Sequence, residues 1–314
     1  MKIIVKKILT LIITMLVISF LTFAAFSLLP GDAALSKLGM DATEEQIEDL
    51  RREMDLDGSV PERYSRWLRK ALKGDFGESL QYDGWQVSQL ITSRLPITLC
   101  ISALSLCLIV LISIPLAILS VRFEGSVYDK IVENLGTVTM AIPSFVLGIL
   151  LTYLFGLLLR WFQPGMEVDL KNDFWKSIWY LVFPAISVSL PRIAMTARFI
   201  STSLTDEMNQ DYVRTARGKG IRESMVLSRH VMPNSLIPTI TFVALMLAEI
   251  LGGSIIAEQV FSLNGMGRLM ISSILSRDYP TVQACVLYVT AAIVVLNTLV
   301  DILYSLADPR VRVE

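Results

Sequence analysis

His230 is the only histidine in the chain, so neither an HExxH zinc helix nor a Ser-His-Asp relay can be built from its own residues. It reads as a group that hydrogen-bonds near a helix end rather than as a metal ligand. Cys100, Cys107 and Cys285 all fall inside apolar stretches, with no metal-ligand spacing and no disulfide framework. Gly218-Lys219-Gly220 is not a phosphate loop, and GxxxxGK[ST] occurs nowhere; if the chain's work is powered by ATP, another subunit must bind the nucleotide. The acids between Thr43 and Asp57 read as a solvated charged face. Glu249 stands out more, because it interrupts an apolar run and an ionisable group at that depth is a functional-site hypothesis by default. Two readings stand level for it: lining a route for a cation, or bonding to a neighbouring helix end or hydroxyl. Gly252 and Gly253 follow it closely. Arg192 and Asp301, in two other apolar runs, are expected to pair with each other.

The richest stretch in polar chemistry is Asp211 to Pro233, DYVRTARGKGIRESMVLSRHVMP, lying between two apolar segments. Arg214, Arg217, Lys219, Arg222 and Arg229 would each cost roughly 2.5–3.5 kcal/mol at a bilayer centre, so this island lies in water. Tyr212, Ala216 and Lys219 fall on one helical face, Gly220 interrupts that helix, and Ile221, Met225 and Ser228 open a second face. The pattern predicts two short helices at an angle, with Pro233 in the first turn of the next segment. On residue chemistry alone such an island is either a solvated loop that fixes topology or a rigid pair of helices for a soluble partner to push.

The elements that must hold this island are apolar. Of 314 residues, 53% are hydrophobic, and the mean hydropathy of +0.58 exceeds what one water-soluble core of this size buries. An all-α polytopic membrane protein follows, with six spans: Ile8 to Leu29, Leu95 to Val121 broken by Pro115, Val132 to Trp161 broken by Pro143, Ile178 to Leu204 with Pro184 and Pro191, Leu236 to Glu258, and Val282 to Leu306. The first is read as a retained anchor, residues 1–29, because its apolar part exceeds the ~7–15 residues of a signal peptide. Residues 30–93 form a small helical region outside the membrane. One helix there begins near Thr43 with Ile47, Leu50 and Met54 on one face, and a second runs from Pro61 through Tyr64, Trp67, Leu68 and Leu72. Residues 94–306 form the five-helix core, carrying the cytoplasmic loop 205–233, and 307–314 are a cytoplasmic tail.

Orientation follows from lysine and arginine in the short loops. With both termini cytoplasmic, the inner side holds thirteen (Lys2, Lys6, Lys7, Arg122, Lys130, Arg198, the five of the island, Arg310 and Arg312) against five outside (Arg160, Lys171, Lys176, Arg268 and Arg277). The net charge of -1 gives no sign of a nucleic-acid partner.

With Gly220 as its central glycine, the island resembles the EAA loop of ABC-importer permeases. Arg214, Thr215 and Ala216 stand at the Glu-Ala-Ala positions, and His230, Met232 and Pro233 at the Ile-x-Leu-Pro ending. The spacing matches throughout; Arg214, Thr215, His230 and Met232 differ in identity. DYVRTARxKG followed by RHxxPN is similar to the peptide/nickel branch. So are LPGD, GDFGES, RLP at Arg94 to Pro96, AIPSF at Ala141 to Phe145, FSLNGMGRL at Phe261 to Leu269, RDYPTVQ at Arg277 to Gln283, and the closing VDILYSLADPRVR. Asn264 stands where that branch usually has proline, and Ala33 departs from its GDPA. By itself FSLNGMGRL reads as a short reentrant or surface turn.

The resemblance implies a type I ABC importer permease fold. It also implies pairing with a second homologous permease, two ATPase subunits that bind ATP and magnesium, and an extracytoplasmic solute-binding protein, in a bacterial or archaeal cytoplasmic membrane. Asp211, Tyr212, Arg214, Thr215, Ala216, Lys219, Gly220, His230 and Pro233 would couple to the ATPases; Glu249, Gly252, Gly253 and Pro143 are candidates for the pathway. No cofactor is expected in this chain, and no catalytic residue. Short peptides are the expected solute, with nickel or a metal chelate as the alternative; a stand-alone secondary transporter or channel, or an intramembrane enzyme, would be a different class.

Overall fold

The computed structural model describes residues 2–28, 43–53 and 57–307. Every named element among them is helical. In chain order they are α1 (Lys2–Leu28), α2 (Glu44–Glu53), α3 (Val60–Ala71), α4 (Val87–Arg122), α5 (Val127–Ala141), α6 (Ser144–Leu151) with a π-helical continuation (Thr152–Leu158), α7 (Phe174–Met208) and α8 (Asp211–Gly218). Then come α9 (Glu223–Val226), running through a π turn (Leu227–Val231) into α10 (Met232–Val260), and finally α11 (Met266–Leu275) and α12 (Tyr279–Ala307).

Five helices among the described residues are long and apolar enough to cross a membrane: Leu9–Ser27, Val87–Arg122, Phe174–Met208, Pro238–Val260 and Tyr279–Thr298. The expected third span is two helices meeting at 99°, and it completes six if the bent pair counts as one. The bend has a local cause. Ile142 is extended (φ -89, ψ 121), as a residue before proline prefers, and Pro143 then caps α6 with no N–H to continue the ladder. Pro115 behaves otherwise: α4 passes through it unbroken, against the expectation of a break, as does α7 through Pro184 and Pro191. Packed neighbours can re-satisfy the backbone groups that such prolines free.

The chain divides into two compact units. The first comprises 1–96 and 265–294. Its core joins Phe76, Val87, Leu90 and Ile91 to Met266, Leu269, Ala284 and Cys285, and the Tyr64 hydroxyl meets Ser19 Oγ at 2.8 Å. Pro61 sits in the first turn of α3 as expected, and the Glu62 carboxylate accepts from the Ser59 backbone N–H at 2.9 Å and hydroxyl at 2.8 Å. Leu72, expected on the apolar face of that helix, lies beyond its end and is 79% exposed. The side chain of Leu50 and all of Met54 lie outside the described residues. FSLNGMGRL is a turn that leads into the ten-residue α11.

The second unit comprises 97–264 and 295–314. Three clusters succeed one another along α7. Tyr180, Leu181 and Phe183 pack with Ile97, Ile101, Phe162, Phe261 and Leu263. Val188 and Ile193 pack with Ile109, Ile250 and Ala257. Ile200 and Leu204 pack with Ala117, Val213, Ala216, Val226 and Val231. At ~1.5 Å per residue α7 is about 50 Å long, well over a ~30 Å hydrocarbon layer, so one end stands in water with its core intact.

Candidate functional site

The island fills the interval between two long helices, the end of α7 at Met208 and the start of α10 at Met232. α7 stops at Met208, α8 occupies Asp211–Gly218, and Gly220 turns the chain with φ +74 before α9 starts at Glu223. That value lies in the left-handed region, where an L side chain pays roughly 1–2 kcal/mol. The two short helices and the break at Gly220 are as the residue pattern predicts. The second helix differs: it does not end, but runs through the π turn into α10, with Pro233 in the first turn.

The structure shows which residues face inward. On α8 they are Val213 and Ala216; of the residues that share a face by spacing, Ala216 is buried while Tyr212 and Lys219 are exposed. On the second helix Val226 and Val231 are buried, whereas Met225 is 47% exposed, Ser228 is exposed and Ile221 is intermediate. An eight-residue helix lying across a core presents only one narrow stripe to it, and two small apolar residues three apart fill that stripe. Burying Val213 contributes about 1.5–3 kcal/mol, enough to hold α8 against α7 and the π turn.

Polar bonds lock the arrangement. The Tyr212 hydroxyl donates to Glu207 Oε1 at 2.6 Å and accepts from Asn234 Nδ2 at 3.2 Å, while Asn234 also reaches the His230 carbonyl at 3.2 Å. One phenol thus ties the end of α7 to the start of α10. Partial burial, and then the Glu207 hydrogen bond, hold this phenol above its ordinary pKa. His230 enters the network through its backbone carbonyl. Across the Gly220 turn, Arg217 Nε and Nη2 reach both oxygens of Glu223 at 3.1 and 2.5 Å. That pairing holds the Glu223 carboxyl below its usual range and pushes the Arg217 guanidinium up. Thr215 bonds to the Asp211 carbonyl at 3.0 Å, and the Asp211–Arg214 pair, 3.7 Å apart, is almost fully in solvent. Lys219, Arg222 and Arg229 are exposed around them, so the outer surface is basic while the inner one is apolar.

The pathway candidates form a second cluster. The expected partner of Arg192, Asp301, has a side chain outside those described; among the described residues Arg192 meets Glu249. Its Nη1 and Nη2 donate to the Val188 and Glu249 carbonyls at 2.6 and 2.8 Å, and its Nε lies 3.9 Å from Glu249 Oε2. Gly253 makes the room, since a Cβ there would stand 3.2 Å from Nη2. Gly252 faces the open side, where a Cβ would touch nothing. Pro143 belongs to the α5–α6 bend, and among the described residues no hydrogen bond or ion pair links it to this cluster.

Residue spacing alone missed two buried acids. Glu258, wholly buried in the second unit, accepts from Thr98 Oγ1 at 2.5 Å. Its position at the edge of an apolar run read as a boundary, although an acid completing such a run is itself a signal. In the first unit Asp278, also wholly buried, accepts from Ser79 Oγ at 2.5 Å and Thr281 Oγ1 at 2.7 Å. GDFGES and RDYP, two unrelated signals in the chain, meet at that carboxylate. A cavity of about 550 Å³ was missed too; it opens among α4, α5 and α7, with Ser120, Asp129, Glu133 and Arg198 on its polar side.

Comparison with known proteins agrees with this architecture. Residues 109–313 match the family model described as binding-protein-dependent transport system inner membrane component, and residues 1–102 match that of its N-terminal part. A putative peptide transport system permease protein of Brucella abortus is 36% identical over 309 residues, covering 98% of each chain. The oligopeptide transport system permease protein AppB of Bacillus subtilis is 34% identical over 311 residues, again with 98% of each chain covered. A crystal structure of an amino acid ABC transporter with histidines shares the fold, with a TM-score of 0.50 at 17% identity over 71% of this chain and 94% of that one.

Proposed function

The chain belongs to the family of binding-protein-dependent transport system inner membrane components, as a multi-pass importer permease, and from that premise we propose that it forms half of a pathway for short peptides, driven by separate ATPase subunits. The observation that carries the coupling part of this reading is the two-sided island. Val213 and Ala216 lock α8 into the core formed by α4, α7, α9 and the π turn that leads into α10, while Asp211, Arg214, Thr215, Lys219 and Arg222 face outward for a soluble partner.

In this reading the ATPases bind ATP and magnesium, this chain binds neither, and their closure displaces α8. Because α8 is wedged between the ends of α7 and α10, the displacement passes into both helices rather than being lost in a loop. Tyr212 and Asn234 keep the two ends moving together; Gly220 lets the angle between α8 and α9 change. Glu249 and Gly252 belong on the pathway side, facing a second homologous permease, with Gly253 behind them against Arg192 and Pro143 at the α5–α6 bend. The island and both termini are cytoplasmic, and an extracytoplasmic protein delivers solute. Binding on the two sides is coupled reciprocally, so a loaded binding protein outside alters nucleotide binding and turnover inside. The names of the full-length relatives favour peptides. A nickel or metal-chelate cargo is the second reading, favoured by the exposed carboxylate of Glu249.

The test is to reconstitute the chain with its second permease, ATPases and binding protein, and to compare Arg214→Glu with wild type. Loss of ATPase docking and of uptake, with the chain still inserted and paired, is the expected result. Undiminished uptake overturns the assignment of the island.

A further inference from the structure

Glu249 stands at the midpoint of the apolar helix segment Pro238–Val260, yet its side chain is 62% exposed on the surface of the second unit. A carboxylate at that depth is too costly to turn toward hydrocarbon; such groups face a water-filled space or a partner. Leu245 one turn earlier, and Gly252 and Ile256 one and two turns later, are exposed on the same side of the helix. With bare backbone at Gly252, a solute can come close to the carboxylate.

Behind it lies a cation that leaves its oxygens available. Arg192 is sheltered, with 15% of its side chain exposed, and gives both terminal nitrogens to backbone carbonyls. Only Nε faces the carboxylate, at 3.9 Å, an ion pair without a hydrogen bond. Among the described residues no hydrogen bond reaches the Glu249 carboxylate oxygens. Gly253 is what permits this placement, because any side chain there would press on the guanidinium. The result is a carboxylate held at a set height by the bonds of Arg192 to the backbone and presented to whatever passes.

We infer that Glu249 is a solute-selecting group of the pathway, taking the ammonium or guanidinium of a cationic peptide in transit, with Arg192 as the residue that positions it. The inference rests on the reading of this chain as a peptide permease. A passing cation meets one unsatisfied carboxylate; a passing anion meets repulsion relieved only in part by a guanidinium that is turned inward.

The experiment uses the full complex in proteoliposomes and follows ATP-driven uptake of Ala-Lys-Ala and Ala-Glu-Ala side by side. The binding protein is the same throughout, so changes in the ratio of the two uptakes report on the permease. Glu249→Gln lowers the lysine-to-glutamate ratio about tenfold, the factor that ~1.4 kcal/mol makes, and Glu249→Asp restores most of it. Arg192→Gln moves the ratio the opposite way, toward the cationic peptide, which loss of a merely structural bond would not do. An unchanged ratio in Glu249→Gln, with both peptides still carried, overturns the inference and leaves the permease reading standing. Equal loss of both peptides together with failure of the two permeases to co-purify also overturns it, by showing that Glu249 serves their contact. If the wild-type complex carries neither peptide, the peptide reading itself fails.

Discussion

Gly220 offers a perturbation whose cost can be worked out from backbone alone. A Cβ at that position would have no heavy atom within 4 Å, so no substitution there is penalised by crowding. What remains is φ +74, which costs an ordinary residue roughly 1–2 kcal/mol and a β-branched one the upper end or more, whereas asparagine visits that region readily. Gly220→Val is therefore expected to cost about 2 kcal/mol in the turn, shifting its population roughly thirtyfold away from the observed geometry, while Gly220→Asn costs a few tenths. The loss is local. α8 keeps Val213 and Ala216 buried, and the helices on either side are untouched, so the chain still inserts. The assay is solute carried per ATP hydrolysed in the reconstituted complex, with hydrogen exchange on α8 amides as the structural readout. Valine should lower the yield of transport per ATP and speed exchange in α8; asparagine should leave both near wild type. If valine and asparagine behave alike, side-chain bulk toward a partner decides the matter and the hinge argument is wrong.

The Arg217–Glu223 pair should be pH-dependent: the Glu223 carboxyl sits below its usual range when folded, so its contribution is present above the unfolded carboxylate pKa and lost as pH falls through the folded one. Being exposed, it is worth at most about 1 kcal/mol, and Glu223→Gln should abolish the acid-dependent part of α8 hydrogen exchange. Gly253→Ala should lower the melting temperature in detergent because Arg192 must move, while Gly252→Ala, with open space around it, should not; equal effects would contradict the packing described. Asp278→Asn replaces an acceptor facing two hydroxyls and backbone N–H groups with a group that is half donor, at a cost of about 1–3 kcal/mol, read as a lowered melting temperature. Ser79→Ala should cost less, since it leaves Asp278 its other donors.

Hydropathy and charge alone determined much here. A run such as 9–27 has no stable place outside a membrane, and five cations within 211–233 have none inside it, so the helical architecture and the watery island follow from transfer free energy without any knowledge of contacts. Local chemistry also sufficed at Gly220, Pro61 and Pro233, where a backbone preference needs no distant partner. Tertiary structure decided what depends on which surfaces meet. Spacing along α8 does not say which face turns inward, and the core of Ile200, Leu204, Val226 and Val231 decides that it is Val213 and Ala216. Pro143 bends the chain by 99° and Pro115 does not, although both are prolines in apolar runs. Arg192 could reach for more than one acid; helix packing puts Glu249 within its range. Ser79 and Asp278 lie too far apart along the chain for any periodicity to link them, and a hydrogen bond between them exists only once the fold has closed that distance.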